Sequence, residues 1–351
     1  MEQQPPTPTL ESYVLQIAGH EKLLGDAYKF TKTPLRAGVV NRVLFYQGSF
    51  NPPHLGHLAL IQHIYWNSGK DQNYLTAVVL PADQKILDEK QPTNKNQIIM
   101  TKEERASLWR GHDTTNGFWI YTGSFKEWLA FFHQVRRAAG YDDFELEVSI
   151  MVGPDHLPDL QKYPALGKWG YTEWLFSDIA RDYEDRSQVP EYEPFQPHVI
   201  NCEKDEKTAE KVASFVTAGM RMVAPKSFDD MLQSGKTVSI FSVDSFSDHI
   251  TDSTSDPNMK DQMVRDIVAK SKGTTLEGLI SRRLDNPNSL LRFIPKPTTE
   301  AIPRISSSDI RKTIMTSPRD ELETNLRGTA LNPDLLAEIL KKNYSEYLSP
   351  E

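Results

Sequence analysis

The sequence Gly48-Ser49-Phe50-Asn51-Pro52-Pro53-His54-Leu55-Gly56-His57-Leu58 lies between two apolar segments of different length. The segment before it, residues 43–46, has the length and apolar character of a buried strand, whereas residues 58–66 are long enough for a helix. Gly48 and the Pro52-Pro53 pair interrupt both patterns. This part of the chain therefore predicts a strand, a tight loop and a helix, in that order.

Strands and helices continue to alternate further along the chain. One helix signal is a capping box, in which Thr101 is the N-cap and Glu104 is the third helical residue. Alternation of this kind predicts an α/β protein with a Rossmann-like parallel sheet and helices on both faces. The predicted strands are residues 43–46, 75–80, 118–121, 146–152, 174–180 and 290–294, and the predicted helices are residues 58–66, 101–110, 124–139, 306–315 and 333–342.

The regularity of this pattern suggests how the chain is divided. Residues 1–40 form an N-terminal appendage with a predicted helix at residues 10–30, and one domain covers residues 41–345. The core of that domain comprises residues 41–181 and 289–345, and a less regular insertion occupies about residues 182–288. Within the insertion we expect a surface excursion at 182–198, a helix at 208–220, an apolar run at 238–243 and a polar stretch at 247–261.

Composition argues against several classes of protein. A formal net charge of -8 speaks against a surface for nucleic acid, because phosphate backbones require clustered Lys and Arg. No segment approaches the ~20 apolar residues that span a bilayer. Residues 1–10 lack the apolar core of a signal peptide, and the single Cys202 has no partner for an internal disulfide. We therefore expect an intracellular protein of the cytoplasm, with the nucleus left open, that has no nucleic-acid or membrane partner.

The loop after the first strand has the composition of a phosphate site. Gly48 allows the backbone to approach a ligand, and amides of a loop that enters a helix point toward phosphate oxygens. His54 and His57 can hydrogen-bond neighbouring phosphate oxygens, and Gly56 leaves room beside them. The alternatives are a histidine pair at a helix start without a ligand, or a zinc pair. We predict no metal site, because no third ligand lies at a suitable spacing and His63 is more than one turn away.

A second candidate site is Ile305-Ser306-Ser307-Ser308-Asp309-Ile310-Arg311, at the start of the predicted helix that follows the last strand. Three hydroxyl residues can cap the helix and also present donors to an anion. Arg311 lies about one turn into the helix, and its planar guanidinium matches two phosphate oxygens. By itself this sequence is also an ordinary N-cap. Together with the first loop it favours a shared phosphate site.

The two sequences together resemble the adenylyltransferases of nicotinamide and nicotinate mononucleotide, within the H-x-G-H nucleotidyltransferase superfamily, which is cytidylyltransferase-like. The resemblance covers about residues 42–181 and 290–342. It implies that the loop at Gly48, Ser49 and Phe50 holds ATP phosphates together with His54 and His57. It further implies that the departing phosphates are bound by Ser306, Ser307 and Arg311, so that His54, His57 and Arg311 are the expected catalytic residues.

The same resemblance suggests residues for the rest of the pocket. The segment around Gly153 and Asp155 is similar to the family's G-x-D-x-L sequence, which implies that both residues line the nucleotide pocket; a plain turn after a strand is the alternative. Trp169 is similar to a tryptophan that stacks on the pyridine ring. Phe125 or Trp128 falls where a second stacking aromatic is expected, although a core role would explain either.

The resemblance implies adenylyl transfer from ATP, with Mg²⁺, to nicotinamide or nicotinate mononucleotide. The products are NAD or its deamido form, and pyrophosphate, as in pyridine nucleotide biosynthesis. Such a transfer needs two positioned anions and no nucleophilic side chain. One alternative is another phosphorylated acceptor, such as pantetheine phosphate, or CTP as the donor. Another is a nucleotide-binding regulatory protein with little turnover. The choice of acceptor and a homo-oligomer stay open.

Overall fold

A computed structural model of the chain describes residues 7–18, 34–90, 98–110, 118–162, 171–179, 189, 192–202, 275–296 and 305–348. Within these ranges eight strands form one sheet. The strands are β1 (Asn41–Gly48), β2 (Tyr74–Pro81), β3 (Phe118–Ile120), β4 (Leu146–Met151), β5 (Tyr171–Phe176), β6 (Gln196–Asn201), β7 (Thr275–Arg283) and β8 (Asn286–Phe293).

The order of the strands across the sheet is β3-β2-β1-β4-β5-β8-β7-β6. The first six in this order run parallel to one another. Strand β7 pairs with β8 in the antiparallel direction, and β6 pairs with β7 in the same way. The predicted Rossmann-like α/β fold is confirmed, and all six predicted strands belong to its parallel part.

Helices connect and cover these strands. The capping box predicted for the helix after residue 101 is present, because the Glu104 amide donates to Thr101 Oγ1 over 3.2 Å and the Thr101 amide donates to Glu104 Oε2 over 2.8 Å. Other helices, among them a 3-10 helix at Pro154–Lys162, did not stand out in the sequence. The described α-helices are α1 (Leu10–Ala18), α2 (Leu55–Asn67), α3 (Gln84–Lys90), α4 (Lys102–Arg110), α5 (Phe125–Tyr141), α6 (Ser307–Thr316), α7 (Leu322–Leu326) and α8 (Pro333–Asn343).

The core has an apolar layer on each face of the sheet and a smaller C-terminal cluster. One layer joins the sheet to α5 and α1, and the other joins it to α2 and α4. The third cluster joins α4 to the C-terminal helices α6, α7 and α8. Helix α1 is fixed to α5 by its buried residues and by the Tyr13 hydroxyl, which donates to Asp142 over 2.6 Å. None of the described helices is long and apolar enough to cross a membrane.

The described ends of the predicted insertion differ from the expectation. Strands β6 and β7 lie inside residues 182–288, so part of the expected surface excursion at 182–198 is a strand of the main sheet. Strand β6 has no clear pattern in the sequence, because Ile200 is its only buried residue and its register depends on pairing with β7. The features expected at residues 208–220, 238–243 and 247–261 lie outside the described residues, as do residues 19–30.

Candidate functional site

A cleft of about 330 Å³ opens at the carboxyl ends of β1 and β4. These strands are neighbours in the sheet, and the chain continues from β1 to β2 on one side and from β4 to β5 on the other. In parallel α/β sheets, ligands bind at such a switch point. The residues that line the cleft are Tyr46, Gln47, Gly48, Ser49, Phe50, His54, Gly56, His57, Leu60, Gly153, Pro154, Asp155, His156, Ile305, Ser306, Ser307 and Ser308.

Two histidines cap the start of α2 reciprocally. The His57 amide donates to Nδ1 of His54 over 3.3 Å, and the His54 amide donates to Nδ1 of His57 over 3.2 Å. The two imidazole rings are stacked, with their centroids 3.5 Å apart and their planes 24° from parallel. A Cβ atom at Gly56 would lie 3.0 Å from His54 Nδ1, so glycine gives this ring the space that the sequence suggested.

These hydrogen bonds assign the protonation of both rings. A nitrogen that accepts a backbone N–H carries no proton of its own, so the ring hydrogen of His54 and of His57 is on Nε2. Nε2 lies on the far side of each ring from the cap. The pair thus closes the helix start through Nδ1, and both residues line the cleft.

The side chain of Phe50, in the loop before α2, points into the core. Phe50 is buried, and its ring packs against Tyr46, His57 and Trp109 with centroid distances of 4.9, 5.0 and 5.3 Å. Its φ of 47° is in the left-handed region, which costs a non-glycine residue energy. A Cβ atom at Gly48 would lie 2.6 Å from this ring. Glycine is therefore needed at residue 48 to make room for the Phe50 ring, whereas the close approach to a ligand stays a prediction.

The start of α6 lies on the other side of the cleft and contacts the same loop. Ser306 and Asp309 form a capping box, in which the Ser306 hydroxyl also donates to Asp309 over 2.6 Å. The hydrogen bond from Ser306 is the main cause of the lowered pKa of Asp309. The Ser307 hydroxyl donates to the Pro52 carbonyl oxygen over 2.9 Å. The structure therefore joins two predicted sites that are about 250 residues apart in the chain.

Arg311 contacts both the loop before α2 and the first turn of α6. Its Nη1 donates to the Asn51 carbonyl oxygen over 2.5 Å, and its Nη2 donates to Ser308 Oγ over 3.0 Å. Burial lowers its pKa. The side chain connects the loop to α6 and is not among the residues that line the cleft. Direct contact with a departing phosphate stays a prediction for Arg311.

Gly153 and Asp155 line the cleft just after β4, where the sequence placed them. A Cβ atom at residue 153 would lie 2.5 Å from Asp155 Oδ1, so a larger residue there would displace the carboxylate. Asp155 also acts on Tyr46 across the cleft floor. Burial raises the pKa of Tyr46, and the negative charge of Asp155 raises it further.

The aromatic residues suggested for acceptor stacking are distributed differently. Trp128 is 1% exposed and is surrounded by Phe45, Trp119 and Phe132, so the expectation that it stacks on a ligand is replaced by a core role. Phe125 packs against the same cluster and does not line the cleft. Trp169 lies outside the described residues.

One functional candidate escaped the sequence analysis. Arg105 of α4 is completely buried, and its guanidinium donates to the carbonyl oxygens of Met100, Thr101, Ser49 and Ala82. A signal for it exists in the sequence. Arg105 stands three and four residues before the buried Leu108 and Trp109, so a charged residue occupies the apolar face of a helix.

The described residues do not provide a dedicated metal site. They contain no group of three or more His, Cys, Asp or Glu side chains arranged to hold an ion. Asp155 is the carboxylate among the cleft-lining residues.

The chain has weak similarities to solved structures. No protein-family model and no curated protein matches the chain. A Plasmodium falciparum nicotinic acid mononucleotide adenylyltransferase complexed with NaAD aligns with 88% of this chain and 98% of its own at 10% identity and a TM-score of 0.37. The same enzyme complexed with APC gives the same values. A putative nicotinate-nucleotide adenylyltransferase from Vibrio parahaemolyticus aligns with 36% of this chain and 68% of its own at 14% identity and a TM-score of 0.23. Overlaps this weak do not define a substrate for the chain.

Proposed function

We propose that the chain is a nucleotidyltransferase that binds the Mg²⁺ complex of ATP in this cleft and transfers the adenylyl group to nicotinamide or nicotinate mononucleotide. One observation carries the proposal: the starts of α2 and α6 meet at a single cleft beside the switch point of the sheet. Amides at a helix start and the positive end of the helix dipole both favour a phosphate.

The chemical groups of the cleft suit a polyphosphate. His54 and His57 line the cleft with Nε2 as their possible donor atom, and Ser308 adds a hydroxyl group, whereas the Ser307 hydroxyl already donates to Pro52. Phosphate oxygens accept from imidazole N–H groups and from hydroxyl groups. Donors that are fixed before the ligand arrives need no reorganisation when charge develops, and this makes them effective in group transfer.

The reaction requires positioning and charge stabilisation only. An oxygen of the acceptor phosphate attacks the α-phosphorus, the bond from that phosphorus to the oxygen bridging to the β-phosphorus breaks, and pyrophosphate leaves with the electron pair. His54 and His57 would donate to the phosphates, and their hydrogen bonds would strengthen as negative charge grows on the leaving group. No side chain forms a covalent bond.

The choice of acceptor rests on the sequence resemblance, in particular on Trp169 as a partner for the pyridine ring. Nicotinamide and nicotinate mononucleotide differ by one amide-to-acid change, and a backbone group is sufficient to distinguish them. The proposal therefore includes both.

A second candidate function is nucleotide binding with little turnover. The position of Arg311 favours it, because the guanidinium contacts Asn51 and Ser308 and does not line the cleft. An active nucleotidyltransferase would benefit from a cation at the leaving group.

The deciding experiment is a pyrophosphate-release assay with Mg²⁺ and ATP against four acceptors: the two pyridine mononucleotides, pantetheine phosphate and phosphocholine. We expect release that depends on one or both pyridine mononucleotides. Release only with another acceptor, or only with CTP as the donor, would replace the proposed substrate. Binding of ATP without release for any acceptor would establish the regulatory function instead.

A further inference from the structure

The buried guanidinium of Arg105 holds the ends of two neighbouring strands. Nη1 donates to the Ser49 carbonyl oxygen, directly after β1, over 2.6 Å. Nη2 donates to the Ala82 carbonyl oxygen, directly after β2, over 2.8 Å, and Nε contacts the carbonyl oxygens of Met100 and Thr101 at 3.2 and 3.3 Å. A fully buried charged side chain needs several such partners to offset its lost hydration.

The contact with Ser49 fixes the orientation of one peptide group at the cleft. In a trans peptide the carbonyl oxygen and the following N–H point in opposite directions. The Ser49 carbonyl points at Arg105, so the N–H of Phe50 points away from it. Both residues line the cleft, and no acceptor for this N–H is present among the residues that the structure describes. The left-handed φ of Phe50 shows that the loop is held in a conformation it would not adopt freely.

We propose that Arg105 is a positioning residue that turns the Ser49–Phe50 peptide so that the Phe50 N–H donates to a nucleotide phosphate. The inference rests on the proposed function for the identity of the ligand, but it concerns binding and needs no turnover. Arginine suits this position because its planar fork reaches two carbonyl oxygens on two loops at once. Lysine keeps the charge but has one nitrogen, so it could not hold Ser49 and Ala82 in the same geometry.

The surroundings of Arg105 also favour an anion at the neighbouring cleft. Burial lowers the pKa of Arg105 to about 10, which leaves the side chain charged at neutral pH. All of its described hydrogen-bond acceptors are neutral carbonyl groups, while Asp83, Tyr344 and Glu104 act on it only as nearby charges. Its positive charge is therefore not cancelled by a bound carboxylate.

The first test observes the Phe50 amide in the wild-type protein. Labelling serine at the carbonyl carbon with ¹³C and phenylalanine with ¹⁵N restricts an NMR spectrum to phenylalanine amides that follow serine, and Phe50→Leu identifies the Phe50 signal. Tripolyphosphate serves as the probe. We expect the Phe50 amide to move downfield as it saturates, since an N–H that gains a charged acceptor is deshielded. A bound tripolyphosphate that leaves this signal unchanged would overturn the inference.

The second test compares two arginine-to-lysine variants. Arg105→Lys should bind tripolyphosphate at least about tenfold more weakly, with a smaller shift of the Phe50 amide. Arg42→Lys is the matched control, because Arg42 also donates to backbone carbonyls, those of Asp71 and Gln72, at the opposite end of β1. It should bind like the wild type. Equal binding by Arg105→Lys, or equal weakening in both variants, would contradict a positioning role.

The outcomes separate this inference from the proposed function. If tripolyphosphate moves the Phe50 amide but no acceptor supports pyrophosphate release, the role of Arg105 stands and the proposed reaction fails. If pyrophosphate is released and the amide signal does not respond, the reaction stands and the role of Arg105 fails. Should Arg105→Lys not fold, the wild-type spectrum decides alone.

Discussion

Helices α2 and α6 begin at the same cleft, and each begins with a capping box, but their caps leave different groups for a ligand. At α2 the box consists of His54 and His57, which accept the backbone amides through Nδ1 and keep a donor on Nε2. At α6 it consists of Ser306 and Asp309, whose hydroxyl and carboxylate are bonded to each other as well as to the backbone. The α2 cap thus places two imidazole rings at the cleft, whereas the α6 cap places a carboxylate beside Ser306.

Helix α5 shows what an ordinary cap of this kind looks like. Ser124 and Glu127 form its box, with the Glu127 amide donating to Ser124 Oγ over 3.2 Å, and neither residue lines the cleft. The α6 cap follows the same chemistry as this one. The capping bonds of Ser306 are therefore explained by helix structure alone, and its phosphate contact stays a prediction.

The largest expected effect follows from His57→Ala. The variant loses a cleft donor and one half of the α2 cap, and turnover should fall by about a hundredfold or more, as for other lost oxyanion donors. Glu127→Ala is the matched control, because it removes the equivalent half of the α5 cap. Steady-state pyrophosphate release should be affected in the first variant only. Similar turnover in both variants would show that His57 is a cap and nothing more.

A smaller effect is expected for Arg311→Lys. The lysine keeps the charge but cannot reach Asn51 and Ser308 together, so the loop and α6 should lose their alignment. We expect kcat to fall by about tenfold with little change in the acceptor KM, since a loss confined to the transition state appears in kcat. Kinetics with ATP and acceptor varied separately measure this. A defect confined to the acceptor KM would mean that α6 acts on the acceptor and not on the leaving group.

The smallest effect should come from Ser306→Ala. If this residue is only an N-cap, its loss should cost about 1 kcal/mol of stability and leave the ATP KM almost unchanged. Ser124→Ala at the start of α5 should lower the free energy of unfolding by a similar amount. Thermal unfolding and ATP-dependent kinetics on both variants make the comparison. A clear rise in the ATP KM for Ser306→Ala alone would return this residue to the phosphate site.

Local patterns in the sequence were sufficient for the six parallel strands of the sheet. The loop at residues 48–58 predicted a strand, a turn and a helix, and β1 and α2 confirm it. The capping box of Thr101 and Glu104 is equally local, because both partners lie within one helical turn. Strand β6 was missed, since an edge strand with one buried residue has no clear pattern until its neighbour pairs with it.

The sequence by itself determined the alternation of strands and helices, the histidine spacing at α2 and the hydroxyl residues at α6, because these features depend on residues that are neighbours in the chain. Only the tertiary structure decided that Trp128 belongs to the core, that Arg311 holds Asn51 and that Arg105 lies beneath Ser49. Each of these contacts joins segments that are distant in sequence. The packing of the sheet and its helices brings these segments together in space. Local sequence patterns do not reveal which distant segments will meet.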